Sequence, residues 1–175
     1  MMEKPDLAGS FRDLLQRLYD HLKELDKQVD ELDAKIQQWH KASDASKKLA
    51  QIPGIGPITA TALVASIGDA KSFENGRALA AWLGLVPRQH SSGGKSVLLG
   101  ISKRGDTYLR TLLIHGARSV LVHAKELGAW IEQIQKRRPT NVVTVALANK
   151  MARTIWAVLA HDSQYQKGYV SIKPV

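Results

Sequence analysis

Nine large apolar residues, Phe11, Leu15, Leu18, Leu22, Leu25, Val29, Leu32, Ile36 and Trp39, recur at alternating steps of four and three. A strand cannot use that spacing, because its side chains alternate with period two; a helix gathers all of them on one narrow stripe. No glycine or proline interrupts the run. Leu15, Leu22, Val29 and Ile36 take the a positions of a heptad, and Phe11, Leu18, Leu25, Leu32 and Trp39 the d positions. Such a seam is stable only against a second helix, and β-branched residues at a with leucine at d favour a parallel two-stranded coil. The sequence therefore predicts a homo-oligomer joined through residues 11–39. A helix from the C-terminal part of the same chain, folded back antiparallel, would cover the same stripe. The polar stretch from Lys41 to Lys48 breaks the heptad and offers Ser43 or Asp44 as a helix cap. These signals divide the chain into an arm at 1–45, a compact domain at 46–164 and a poorly patterned tail at 165–175.

Charge divides the chain in nearly the same place. Residues 1–48 hold 9 Lys and Arg against 10 Asp and Glu, whereas residues 49–175 hold 16 against 6. The whole excess of positive charge lies in the second part. A cationic domain meets polyanions, because neutralising phosphates releases their condensed counterions; a basic surface that serves only solubility is the alternative. The chain has no cysteine, which excludes disulfides, thiolate nucleophiles and cysteine-based zinc sites. No run approaching the ~20 apolar residues of a membrane helix stands out, and the first residues lack the apolar core of a secretory signal. A cytoplasmic protein without membrane contact is expected.

Two segments of the basic part carry candidate chemistry. In Ile52-Pro53-Gly54-Ile55-Gly56-Pro57-Ile58-Thr59-Ala60, two glycines flank one apolar residue. Gly54 and Gly56 allow a tight turn, Ile55 can plug the core, and Pro57 suits the first turn of a helix. The pattern of Gly54, Ile55, Gly56 and Ala60 resembles the helix-hairpin-helix motif, whose exposed amides hold a backbone phosphate without reading sequence. Gly54, Ile55, Gly56 and Thr59 are the candidate DNA-binding residues there; a helix turn that binds nothing is the other reading. The second segment, Pro87 to Ser96, is polar, glycine-rich and basic, and reads as a loop. Arg88, Lys95, Lys103 and Arg104 can surround an anion. Ser91 and Ser92 are by themselves ordinary loop serines, since a serine hydroxyl attacks only when a base or metal removes its proton; His90 is the nearest candidate base.

The remainder reads as helix. A short helix is expected over Phe73 to Leu83, capped by Ser72 or Asn75 and stopped by Gly84. Asp106 or Thr107 caps the next helix, which carries Arg110 and Arg118 as candidate phosphate ligands. A further short helix covers Ala129 to Lys136, and a long one runs from about Thr140 to Ala160. No cluster of metal ligands emerges. The fold class is all-α, with a Ser/Gly-rich loop set among the helices.

From Ile52 to Arg118 the chain resembles the C-terminal catalytic domain of the DEDD transposases of the IS110 family, and more closely its IS1111 branch. The resemblance rests on Ile52-Pro53-Gly54-Ile55-Gly56-Pro57, Phe73, Leu83-Gly84-Leu85-Val86-Pro87, Ser91-Ser92-Gly93-Gly94-Lys95, Gly100-Ile101-Ser102-Lys103-Arg104-Gly105-Asp106 and Leu109-Arg110. It implies that the serine directly before glycine, Ser92, with Ser91 as second choice, is a nucleophile that joins covalently to a DNA end during insertion-sequence transposition. It also implies a partner nuclease domain of RuvC type, whose three aspartates and one glutamate hold divalent metal, Mg²⁺. The residues before Phe11 are too few to encode that domain, so no cofactor is expected in this chain, which is expected to be a C-terminal portion. A structured guide RNA is a further implied partner beside DNA. The alternative function is a non-catalytic dimer that binds DNA or RNA through the glycine turn.

Overall fold

The computed structural model describes residues 7–92 and 95–167. The chain separates into two units, residues 1–39 and 40–175. In the first, the heptad region forms one uninterrupted helix, α1, Leu7–Ala42, which continues just past the unit boundary. Its a and d side chains from Phe11 to Leu32, and Trp39, are exposed, Leu22 to 54% and Trp39 to 65%; Ile36 is half-buried. The polar faces carry bonds one turn apart, Gln16 to Asp20 at 2.9 Å and Gln28 to Glu24 at 3.1 Å, with the Lys23 ammonium 4.4 Å from the Tyr19 ring centre. Such exposed pairs add only a few tenths of a kcal/mol each.

The second unit is built from six helices and a two-stranded antiparallel hairpin among its described residues: α2 Asp44–Leu49, α3 Pro57–Ile67, α4 Gly76–Trp82, β1 Pro87–Ser92, β2 Lys95–Ile101, α5 Thr107–His123, α6 Ala129–Gln135 and α7 Thr140–Ala160. The mainly helical class expected from the sequence is the class observed. Caps set several boundaries. Ser43 begins α2 by accepting the Ser46 amide, and buried Ser46 shares a 2.8 Å hydrogen bond with His40 Nδ1. Asp106 begins α5 by accepting the Leu109 amide at 2.9 Å. Asn75 accepts the amides of Arg77 and Ala78, so α4 starts at Gly76. The helix expected from Phe73 is thereby shortened, and a single 3-10 turn at Ala70–Ser72 precedes it.

Helix α7 lies at the centre and packs against α5, α4, α6 and α2. It is long and apolar enough to meet the length and composition of a membrane span, contrary to the expectation that no segment comes near it. The reason is its place in the core: Val143, Leu147, Ala148, Met151, Ala152, Ile155 and Val158 are buried among helices of the same unit. A helix enclosed on most sides is apolar on most sides. Leu49, Leu63, Leu79, Leu83, Leu109 and Leu113 complete this core. Trp156 fastens the 3-10 turn to it, its indole N–H lying 3.1 Å from the carbonyls of both Ala70 and Phe73.

Candidate nucleic-acid site

The segment read as a loop is a β-hairpin. Its register pairs His90 with Val97, Ser91 with Ser96 and Ser92 with Lys95. Gly93 and Gly94, which separate the paired Ser92 and Lys95, lie outside the described residues. Two extended runs divided by Gly-Gly are a hairpin signal; the polar composition of the first run obscured it. Along both strands every side chain that is described is exposed or half-buried: Arg88, Gln89, His90, Val97 and Leu99 are exposed, and Ile101 packs at the core's edge.

The root of this hairpin is built from four short-range devices. Helix α4 ends in a Schellman arrangement, with the Leu85 amide donating to Ala80 at 2.9 Å, the Gly84 amide to Ala81 at 2.9 Å, and Gly84 at φ 71°. The strands then continue below β1 and β2 through Ser102 N–H to the Val86 carbonyl at 2.8 Å and Lys103 N–H to the Gly84 carbonyl at 3.1 Å. Where the chain returns, Gly84 lies against the Arg104 backbone and Gly105 against the Trp82 carbonyl, so closely that neither position has room for a β-carbon. Lys103 adopts φ 55°, a left-handed conformation that is uncommon without glycine. It points to a sharply constrained return.

Two side chains from the core close on the same root. Arg110 of α5 donates to the Leu83 carbonyl at 3.3 Å and to Thr107 Oγ1 at 3.1 Å, and is only 7% exposed. Asn149 of α7 donates to the Leu85 carbonyl at 3.1 Å. Arg110, read from the sequence as a phosphate ligand, thus faces inward, because the end of α4 leaves a carbonyl without a helical partner. Asn149 was not singled out in the sequence. The trace it leaves there is an amide following the apolar run Val145-Ala146-Leu147-Ala148.

The remaining candidates occupy separate stations. Arg88 stands at an irregularity in the β1 pairing between Pro87 and Gln89. Together with exposed Lys103 and Arg104 it gives the hairpin root three cationic residues. Ser92 and Lys95 form the last described pair at the other end, roughly 13 Å from Arg88 at about 3.3 Å per strand residue. The structure therefore does not gather Arg88, Lys95, Lys103 and Arg104 around one point. The glycine turn forms a third station. Ile55 is buried, only 4% exposed, and Gly56 is exposed at the start of α3, with Pro57 as its first residue. Gly54, at φ 85°, lies so close to Gly116 of α5 that a β-carbon there would stand 2.5 Å from the Gly116 carbonyl oxygen. Thr59 is buried, only 8% exposed, on the inner side of α3, whereas Arg118 is exposed on α5 two residues beyond Gly116. Among the described residues no three His, Asp or Glu side chains converge as metal ligands. The described residues therefore offer no ligand set for the divalent metal that the resemblance places on a partner nuclease domain.

These features define a class: a helical domain from whose core a rigidly rooted, cation-flanked hairpin projects. Comparison with known sequences supplies the family. Residues 46–132 match the family described as Transposase IS116/IS110/IS902 family. Similar relatives include a Pseudomonas aeruginosa protein named "Probable family 20 transposase", 49% identical over 95% of this chain and 50% of the relative. The transposase for insertion sequence element IS1111A of Coxiella burnetii is 43% identical over 95% of this chain and 47% of its own length. That for IS1328 of Yersinia enterocolitica is 40% identical over 94% and 51%. Residues 46–132 are thus similar to a transposase domain of the IS116/IS110/IS902 family. The chain spans about half the length of these relatives.

Proposed function

We propose that this chain is the serine-bearing part of a DNA transposase, with Ser92 as the nucleophile that opens a phosphodiester, and Ser91 as the second candidate. In that step a bond forms between the serine oxygen and phosphorus while one ester bond from phosphorus to deoxyribose breaks. The serine proton passes to a base, for which exposed His90 two residues earlier is the local candidate, and the departing sugar oxygen takes up a proton. The observation that carries the reading is the pairing of Ser92 with Lys95 at the far end of a hairpin within a domain of transposase family. A positive charge beside the attacked phosphate stabilises the charge that builds up in the transition state. Arg88, Lys103, Arg104 and Arg118 hold neighbouring phosphates, and the amides around Gly54, Ile55 and Gly56 hold backbone at the third station. The exposed seam of α1 joins two copies of the chain. DNA is the substrate, a structured guide RNA a further partner, and the divalent metal belongs to carboxylates other than those described here.

A DNA oligonucleotide with a bridging phosphorothiolate at the scissile linkage traps the serine adduct. With a full-length relative supplying the nuclease half, the wild-type chain is expected to form a covalent band that Ser92→Ala abolishes. Persistence of the band in both Ser92→Ala and Ser91→Ala would overturn the nucleophile assignment. Salt-sensitive DNA retention without any adduct in the wild type would favour the non-catalytic binding dimer.

A further inference from the structure

Resting on the reading of Ser92 as the nucleophile, we infer that Arg110 and Asn149 are positioning residues that set the direction in which the hairpin leaves the core, and so where its end meets a phosphate. The two side chains come from different central helices, α5 and α7, and end on alternate carbonyls, Leu83 and Leu85, of the segment that becomes β1. A two-stranded ribbon has no neighbouring sheet to hold its angle. Its direction is therefore decided where it joins the core. Between these carbonyls lies Gly84 at φ 71°, where the chain turns out of α4 against the Arg104 backbone. The backbone bonds there, Leu85 to Ala80 and Lys103 to Gly84, tie the segment to α4 and to the returning strand. The Lys103 bond joins the two strands to each other and the Leu85 bond holds only the α4 end, whereas Arg110 and Asn149 tie the root to α5 and α7. The carbonyls of Leu83 and Leu85, just beyond α4, are the handle: both residues are buried, which removes water as a competing donor, so a lost bond has no replacement. Over the roughly 13 Å from Arg88 to Ser92, a small rotation at the root becomes a displacement of ångströms at the nucleophile. Misplacement by about 1 Å can reduce a rate roughly a hundredfold.

The absence of cysteine in the chain permits a direct test. Spin labels are attached at Val97→Cys on the hairpin and Ser119→Cys on α5, both exposed positions, and the inter-label distance distribution is measured for the full chain. Asn149→Asp keeps the shape but removes the donor; Arg110→Lys keeps one charged donor. The expected result is a broadened and shifted distribution for Asn149→Asp and a smaller change for Arg110→Lys. In the phosphorothiolate assay the maximal trapping rate should fall roughly ten- to hundredfold for Asn149→Asp, with half-saturating DNA unchanged within about twofold, and Arg110→Lys should retain more of the rate than Arg110→Met. If Arg110→Met does not fold, Asn149→Asp alone decides the matter. Unchanged distance distributions and an unchanged maximal rate would overturn the positioning role while leaving Ser92 intact. A distribution that shifts in a chain whose wild type never forms an adduct would leave the positioning of the hairpin standing and remove the nucleophile.

Discussion

Gly54 and Gly116 show how much one missing methyl group can decide. Their backbones touch, and Gly54 also holds φ 85°, so alanine at 54 meets both a carbonyl oxygen and the left-handed penalty of about 1–2 kcal/mol. Gly56, two residues on, has φ −91° and open space around it. In urea unfolding Gly54→Ala is expected to lose at least about 2 kcal/mol, whereas Gly56→Ala loses no more than about 1 kcal/mol, mainly as a poorer cap for α3. Equal losses would mean that the close approach to α5 is not what demands glycine at 54. The sequence already marked this pair of glycines as a turn and Ile55 as its plug. It could not say that the turn rests on Gly116, 62 residues away in α5, since nothing local to either glycine refers to the other. The same limit applies to Arg110. A lone arginine in a basic domain reads as a phosphate ligand until its neighbours are known, and the Leu83 carbonyl that claims it lies 27 residues earlier.

The elements divide into those dictated by local periodicity and those dictated by a partner. Helix α1 belongs to the first kind: four uninterrupted heptads make it a helix wherever it sits. Its exposed seam, Leu15, Leu18, Leu22, Leu25, Val29 and Leu32 among others, is more contiguous apolar surface than a monomer ordinarily leaves in water. Sedimentation of the full chain is expected to show a dimer, and Leu22→Lys combined with Val29→Lys to return it to monomer without altering the unfolding of the second unit. A monomeric wild type at tens of micromolar would remove the self-association. The hairpin belongs to the second kind. Its first strand is polar and its second runs Val97, Leu98 and Leu99 together, so no hydrophobic alternation announces them. What announces them is the Gly-Gly between runs that can be extended, a weaker signal than the surrounding helical periods. Helices α5 and α7 were legible almost to their ends because Asp106 and Pro139 mark their starts and apolar residues recur at helical spacing within them.

At the scale of the whole molecule, charge decides what the protein can approach. The chain carries a formal net charge of +9, all of it supplied after residue 48, and such a field attracts polyanions before any contact forms. Affinity of the full chain for duplex DNA is expected to fall linearly on logarithmic axes with salt. Neutralising Arg88 or Lys103 to glutamine should each lower the slope by about 0.9, the share of one phosphate contact; slopes that do not move would place those cations outside the interface. Amino-acid order alone determined the helical class, the break between a neutral arm and a basic domain, the caps and the glycine turn, because each depends on residues within a few positions of one another. Folding in three dimensions decided the rest: that α7 is packed among α2, α4, α5 and α6, and that Arg110 turns inward to the Leu83 carbonyl. Those outcomes rest on contacts between distant segments, such as Asn149 with Leu85 across 64 residues. Only the packed core chooses among the many partners such groups could have taken.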